Sequence, residues 1–203
     1  MEFGSWFLVP GSWFLVLGSW FLVCLLQLKT YNLSKVISFP NCKINIGLNV
    51  TRKRDDGFHD LETIFYPVQW RDALEFVESD VLQFDVSGIA IDAPPEENLC
   101  LKAYRLLQDK FDLPPLHFHL LKAIPMGAGL GGGSADAAFT LKMLNGHFHL
   151  QLLINQLMEY AAQLGSDCSF FIQNKPAFAT GRGEVLEELE LLKEPLFIAI
   201  AFP

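Results

Sequence analysis

Five glycines and a serine run directly into an alanine-rich stretch at Pro125-Met126-Gly127-Ala128-Gly129-Leu130-Gly131-Gly132-Gly133-Ser134-Ala135-Asp136-Ala137-Ala138, and this run constrains the chain more than any other. Glycines let the backbone take left-handed angles and approach a ligand without Cβ interference. The first N–H groups of a following helix have no intrahelical acceptor and point at a bound anion. A flexible linker fits poorly, because Ala137, Ala138, Leu141 and Leu144 supply an apolar face at helical spacing immediately afterwards. The stretch therefore predicts a phosphate cradle at a helix N-terminus.

The 203 residues allow one large or two small domains, and 51% apolar with 19% charged residues is a composition able to bury a core. A net charge of −8 argues against nucleic acid as a bulk electrostatic partner. Arg52, Lys53 and Arg54 leave that balance intact, since Asp55 and Asp56 follow at once. Cys24, Cys42, Cys100 and Cys168 show no Cys-x-x-Cys spacing and are expected as reduced thiols of a cytoplasmic protein.

Residues 1–33 are of another kind. Gly4-Ser5-Trp6-Phe7-Leu8-Val9 recurs at Gly11 to Val16 and again at Gly18 to Val23, and no charged residue lies between Phe3 and Leu28. By length the segment 3–28 is a membrane-anchor candidate. Near-perfect repetition favours a non-functional appendage, from tandem duplication or from a start assigned too far upstream. A heptad coiled coil would need polar residues between its apolar ones, which are absent. The folded domain is expected over 34–203.

That domain carries α+β punctuation. Lys43 to Val50 alternates, with Ile44, Ile46, Leu48 and Val50 on one face and Lys43, Asn45 and Asn49 on the other. Arg52 to Gly57 is a charged turn, and 74–77 and 82–86 are expected as short strands around Ser79-Asp80. A helix marked by Leu99, Ala103, Leu106 and Leu107 ends before Pro114. Leu116 to Leu120 alternates again, leading into the glycine loop. Ile154, Leu157, Met158, Ala161 and Leu164 form another helix stopped by Gly165, and Phe197 to Phe202 is expected as a buried strand.

General phosphate motifs narrow the choice. Gly127-x-Gly129-x-x-Gly132 satisfies a dinucleotide fingerprint, yet no acidic residue about twenty positions on is available for a ribose. Walker A would need Lys after the last glycine, where this chain has Ser134. The loop instead resembles the Pro-x-Gly-x-Gly-Leu-Gly-x-Gly-Ser-Ser/Ala motif of the GHMP small-molecule kinases. Pro40-Asn41-Cys42-Lys43-Ile44-Asn45, the run Arg54 to Phe65, Leu164 to Phe171 and the turn Ala179 to Glu184 resemble one branch of that superfamily. That branch acts on 4-diphosphocytidyl-2-C-methyl-D-erythritol in non-mevalonate isoprenoid synthesis.

The resemblance implies an α+β GHMP kinase N-terminal domain of the ribosomal protein S5 domain 2-like fold, with the C-terminal lobe missing from the sequence. It implies ATP-dependent phosphorylation of the acceptor's 2-hydroxyl, a reaction that depends on positioning and charge neutralisation. Asp167 matches the aspartate that takes the hydroxyl proton, and Lys43 matches the lysine beside it that steadies the transferring phosphoryl group. From the residues alone, Asp167 is also a helix N-cap and Lys43 also a solvated strand lysine. Pro125, Met126, Gly127, Ala128, Gly129, Leu130, Gly131, Gly132, Gly133, Ser134 and Ala135 match the ATP phosphate loop, with Ser134 a Mg²⁺ contact.

Phe58 and His59 match the aromatic and histidine that hold the cytosine, and Asn45, Phe65 and Asp167 match residues of the acceptor pocket. Phe58 replaces the tyrosine usual in the family, which spares stacking. From the residues alone, Phe65 is more often a plain core residue, and His59 has the alternative of capping a turn. His117 and His119 share one strand face, but a His-x-His pair holds metal only with a third ligand. The implied partner is a small molecule, the implied state a monomer or homodimer. Another GHMP kinase specificity and a catalytically inactive nucleotide-binding fragment remain open.

Overall fold

A computed structural model describes residues 35–190 and 198–200. The tryptophan-containing repeats, the membrane and appendage readings of 3–28, and the boundary at 34 lie outside the described residues. Among those described, no helix is long and apolar enough to cross a membrane.

Among the described residues, eight strands and four helices alternate irregularly. They are β1 (Val36–Ser38), β2 (Asn41–Lys53), β3 (His59–Arg71), β4 (Ala73–Glu78), β5 (Gln83–Gly88), α1 (Leu99–Phe111), β6 (Leu116–Lys122), α2 (Gly132–His147), α3 (Ile154–Leu164), α4 (Cys168–Gln173), β7 (Ala177–Thr180) and β8 (Val185–Glu188). They form two sheets, one ordered β1-β4-β6-β5 and one ordered β2-β3-β7-β8.

The strands around Ser79-Asp80 do not pair with each other. Instead β6 lies between them, antiparallel to β4 and parallel to β5. Leu116, Phe118 and Leu120 are fully buried, so β6 holds an interior position of the sheet, and a parallel partner requires a long crossover. The crossover contains α1. Its N-terminus is capped by Asn98, whose side chain accepts from the Cys100 N–H at 2.9 Å. Its C-terminus stops at Asp112 in the left-handed region, two residues before Pro114.

The expected face of β2 is interrupted. Gly47, at φ 64, sits at an irregularity between the Ile46–Ile64 and Leu48–Thr63 pairs, and an inserted residue reverses the facing of the strand beyond it. Burial follows position along the strand and not its face: Asn41, Cys42 and Lys43 are buried, and every residue from Asn45 to Lys53 is exposed, Ile46, Leu48 and Val50 included. The strand expected over 197–202 is not formed at 198–200, where Ile198 is exposed; its other residues lie outside the described set. No strand among the described residues pairs with that segment.

The main core joins the inner face of β4 and β6 to all four helices and reaches Phe65, Ala177 and Ala179 of the second sheet. Phe118 makes edge-on or tilted contacts with Phe76 and Tyr104 at 5.5 Å, while the Tyr104 hydroxyl donates to the Pro114 carbonyl at 2.9 Å. A smaller cluster of Cys42, Ile124 and Leu130 joins β2 to the glycine loop. Cys42, Cys100 and Cys168 are buried free thiols. Burial pushes the Cys168 thiol up to about 11, with the Ser134 hydroxyl acting in the opposite direction.

Candidate active site

Between β6 and α2 the backbone takes left-handed angles at alternate residues: Gly127 at φ 72, Gly129 at 71 and Gly131 at 69. Ala128 and Leu130 do not. Alternation of this kind turns successive N–H groups toward a common concavity, an anion-binding nest. The first intrahelical bond runs from the Ala135 N–H to the Gly131 carbonyl at 2.9 Å, so the N–H groups of Gly132, Gly133 and Ser134 belong to the open helix end. Pro125 and Ala135 bracket the loop; Met126, Gly127, Ala128 and Gly129 are exposed, and Leu130 is buried as its anchor. At Gly131 a Cβ would lie 3.0 Å from the Phe171 ring and 3.3 Å from Lys43 Cε.

The loop is joined directly to β2, where the Lys43 N–H donates to the Leu130 carbonyl at 2.9 Å. The Lys43 ammonium lies 3.4 Å from Asp167 Oδ2, donates to Asn45 Oδ1, and stands 4.4 Å from the centre of the Phe65 ring. Its side chain is 4% exposed against 32% for Asp167, so the carboxylate is the member of the pair open to an incoming group. Asp167 does occupy the N-cap position of α4, but its side chain makes no capping hydrogen bond. The expected cap and the expected charge pairing thus separate, and only the pairing is made. Phe65 is both core and site: it packs edge-on against Phe170 at 5.3 Å and borders Lys43.

The turn between β7 and β8 closes against this pair. Gly183 is buried at φ 105, and a Cβ there would lie 3.2 Å from Phe65 Cζ and 3.8 Å from Asp167 Oδ1. Close approach therefore demands glycine. On the other side, a Cβ on Gly165 would meet Cys168 Sγ at 3.3 Å and Ser134 Oγ at 3.9 Å, which brings the first turn of α2 beside the α4 entrance.

Phe58 lies on the β2–β3 turn and His59 opens β3, both exposed. The turn is held by the Arg54 N–H donating to the Phe58 carbonyl at 2.8 Å and by Asp60, which receives Arg54 at 2.9 Å and Arg52 at 2.8 Å. Those two guanidinium groups hold the Asp60 carboxyl below its usual range. The Arg182 guanidinium stands 5.0 Å over the Phe58 ring, linking this turn to the β7–β8 turn. His117 and His119 engage Asp85 at 2.7 Å and Ser87 at 2.9 Å, away from the loop.

Residues 98–182, from the start of α1 into the β7–β8 turn, match the family model for the GHMP kinases N terminal domain. Over that segment the chain is similar to the N-terminal domain of the GHMP kinases. It is 52% identical over 168 residues to a 4-diphosphocytidyl-2-C-methyl-D-erythritol kinase of Parabacteroides distasonis, covering 83% of this chain and 62% of that protein. With the kinase of the same name from Bacteroides fragilis the identity is 56% over 160 residues, covering 77% and 58%. The chain thus spans about three fifths of the length of the curated relatives it matches. A solved structure of 4-(cytidine 5'-diphospho)-2C-methyl-D-erythritol kinase superposes with a TM-score of 0.67 at 34% identity, over 77% of this chain and 56% of that one. A Methanococcus jannaschii mevalonate kinase, at 13% identity and a TM-score of 0.58, shares the fold.

Beneath the glycine loop lies a buried charge cluster. Lys122, the last residue of β6, donates to Asp136 Oδ2 at 2.8 Å and to Asp72. Asp72 Oδ1 also accepts the N–H groups of Ala123 at 2.6 Å and Ile124 at 2.8 Å, fixing the chain as it leaves β6 for the loop. Burial pushes the Asp136 carboxyl up to about 7 despite Lys122 beside it, and its Oδ1 has no hydrogen-bond partner among the described residues. The signal was present in the sequence: Leu116, Phe118, Leu120 and Lys122 share one strand face, so the lysine continues the buried row. Its partners lie 50 and 14 positions away and carry no common motif.

Proposed function

We propose that this chain belongs to an enzyme that transfers the γ-phosphate of ATP to the 2-hydroxyl of 4-diphosphocytidyl-2-C-methyl-D-erythritol, in non-mevalonate isoprenoid precursor biosynthesis. The observation that carries the reading is the Lys43–Asp167 pair at 3.4 Å, on a strand whose backbone is bonded to the glycine loop. A proton acceptor and a phosphate cradle are thereby coupled across one hydrogen bond. The names of the curated relatives at 52% and 56% identity support the choice of acceptor.

In this reading ATP lays its phosphates along Gly127 to Ala135, against the open N–H groups of α2. The acceptor hydroxyl faces Asp167, which takes its proton as the oxygen bonds to phosphorus, and ADP leaves. Lys43, shielded by Phe65 and hydrogen-bonded to Asn45, stays within reach of both the carboxylate and the transferring group. Phe58 stacks on the cytosine and His59 hydrogen-bonds it. Mg²⁺ is held mainly by nucleotide phosphates in such sites, with one or two protein oxygens. The half-buried Ser134 hydroxyl and the accessible Asp167 carboxylate fit that donor set. When bound, the ion neutralises phosphate charge.

The reading carries with it a small-molecule acceptor, no nucleic-acid partner, a cytoplasmic location and a monomeric or homodimeric state. Its test is formation of the 2-phosphate and ADP, followed by phosphorus NMR, with 4-diphosphocytidyl-2-C-methyl-D-erythritol, mevalonate and homoserine as rival acceptors. Turnover of the first alone is expected, and Asp167→Asn lowers it by about 10²–10⁴-fold with ADP binding retained. Turnover of mevalonate or homoserine in its place overturns the acceptor, and an undiminished Asp167→Asn variant overturns the base.

A further inference from the structure

Arg182 is absent from every role assigned above, yet it occupies the span between the two ends of the acceptor pocket. Its guanidinium carbon stands 5.0 Å over the Phe58 ring, while the next residue, Gly183, packs against Phe65 and approaches Asp167. Its Nε is buried and has no hydrogen-bond partner among the described residues. The acid nearest in sequence, Glu184, is otherwise engaged: its carboxylate accepts the Arg182 backbone N–H at 2.6 Å. Asp56 is close enough to feel the guanidinium charge, but forms its ion pair with Arg54 at 3.0 Å.

A buried donor without an acceptor calls for a reason, and a ligand oxygen is one. The guanidinium is planar, permanently charged and forked, which suits phosphate oxygens, and its cation–π contact with Phe58 restricts its rotamers before any ligand arrives. Backbone rigidity adds to this. Gly181 and Gly183 flank it at φ 68 and 105, the Gly181 carbonyl accepts from the Leu61 N–H at 2.7 Å, and the Gly183 N–H donates to the Thr180 carbonyl at 3.1 Å.

The order of groups along the proposed acceptor supplies the ligand. Cytosine at Phe58 and a methylerythritol hydroxyl at Asp167 leave a diphosphate to cross the space between them. We propose that Arg182 holds that diphosphate, making it a specificity-determining residue that selects a nucleoside-diphosphate-linked acceptor over an uncharged alcohol. The inference rests on the acceptor assigned in the proposed function.

The test is calorimetric titration of the 203-residue protein with cytidine and with cytidine 5'-diphosphate, both under saturating ADP so that the glycine loop is already filled. Wild type binds the diphosphate more tightly than the nucleoside. Arg182→Leu, which keeps an apolar contact with Phe58, weakens the diphosphate tenfold or more, weakens cytidine less than threefold and leaves ADP binding unchanged. Arg182→Lys, which keeps the charge without the fork, falls between them. Arg182→Leu binding the diphosphate as wild type does, or losing nucleoside and diphosphate in equal measure, overturns the inference and leaves the cytidine pocket standing. Wild type binding neither cytidine nor the diphosphate overturns the acceptor assignment and this inference together.

Discussion

Asn41 and Asn174 exchange two amide hydrogen bonds: Asn174 Nδ2 donates to Asn41 Oδ1 at 2.7 Å, and Asn41 Nδ2 donates back at 3.2 Å. Asn41 opens β2 two residues before Lys43, and Asn174 ends α4, whose first residue follows Asp167. The pair therefore clamps together the two elements that carry the ammonium and the carboxylate. Asn suits the α4 end twice over, since at φ 56 it tolerates a left-handed backbone that most residues resist.

Asn174→Ala should lose both advantages, at about 1–2 kcal/mol for the left-handed backbone and about 1 kcal/mol for the amide pair. Asn174→Gly keeps the backbone and should cost less. Adding Asn41→Ala to Asn174→Gly should cost little more, because either change already removes the clamp. Urea unfolding of the four proteins measures this. A glycine variant weaker than the alanine variant would refute the backbone argument.

Lys122 faces two carboxylates, and its side chain and that of Asp72 are fully buried. Lys122→Met should destabilise by about 3–5 kcal/mol, because it strands negative charge in the core. Asp136→Asn should cost far less, as the lysine keeps Asp72. Equal losses in the two variants, read from denaturation midpoints at pH 7.5, would mean that charge compensation is not what this cluster supplies.

The same aspartate sets a pH dependence. Its carboxyl rises from an ordinary 3.8 to about 7 through burial, so between those values the folded protein holds a proton that the unfolded chain releases. This group's contribution to stability is greatest below about pH 4, falls as pH rises through the window, and levels off above about 7. Asp136→Asn should flatten that part of the stability profile. Thermal midpoints at pH 5 and pH 7.5, compared between wild type and variant, should converge for the variant; an unchanged pH slope would remove Asp136 as its source.

Neighbouring glycines of the loop should respond differently to alanine. At Gly132 a Cβ would meet Lys122 Nζ at 2.9 Å and Ile124 Cγ2 at 3.0 Å, both buried and pinned, whereas at Gly133 the nearest atom is Leu99 Cδ1 at 3.9 Å. Gly132→Ala should therefore cost about 1–3 kcal/mol by overpacking, while Gly133→Ala should be neutral or stabilising by up to about 1 kcal/mol through helix propensity. Melting curves distinguish them, and a Gly133→Ala protein as damaged as Gly132→Ala would contradict the packing at this helix start.

The glycine loop, the helix behind it, and the strands and helices around Leu116 and Leu157 were legible in the amino-acid sequence because their determinants are local. A left-handed angle favours glycine at its own position, and a buried stripe needs apolar residues at the period of its own element. The strand β2 shows where such reading stops: its first three residues are buried and all from Asn45 to Lys53 are exposed, so alternation along it assigns a buried face that tertiary packing supplies only at its start. The partner of β6 was likewise hidden, because strand pairing depends on which strand is most deeply buried and not on which comes next in the chain.

By itself the sequence determined the glycine loop at the head of a helix and most element types, while for Lys43 and Asp167 the residues alone suggested a solvated strand lysine and a helix cap. Tertiary structure alone decided that these two meet at 3.4 Å, that Asp167 leaves its cap unmade, that Asp72 and Asp136 converge on Lys122, and that Arg182 comes to lie over Phe58. Each is a contact between residues distant along the chain. Its geometry comes from how two sheets and four helices share one core, and no local pattern encodes that.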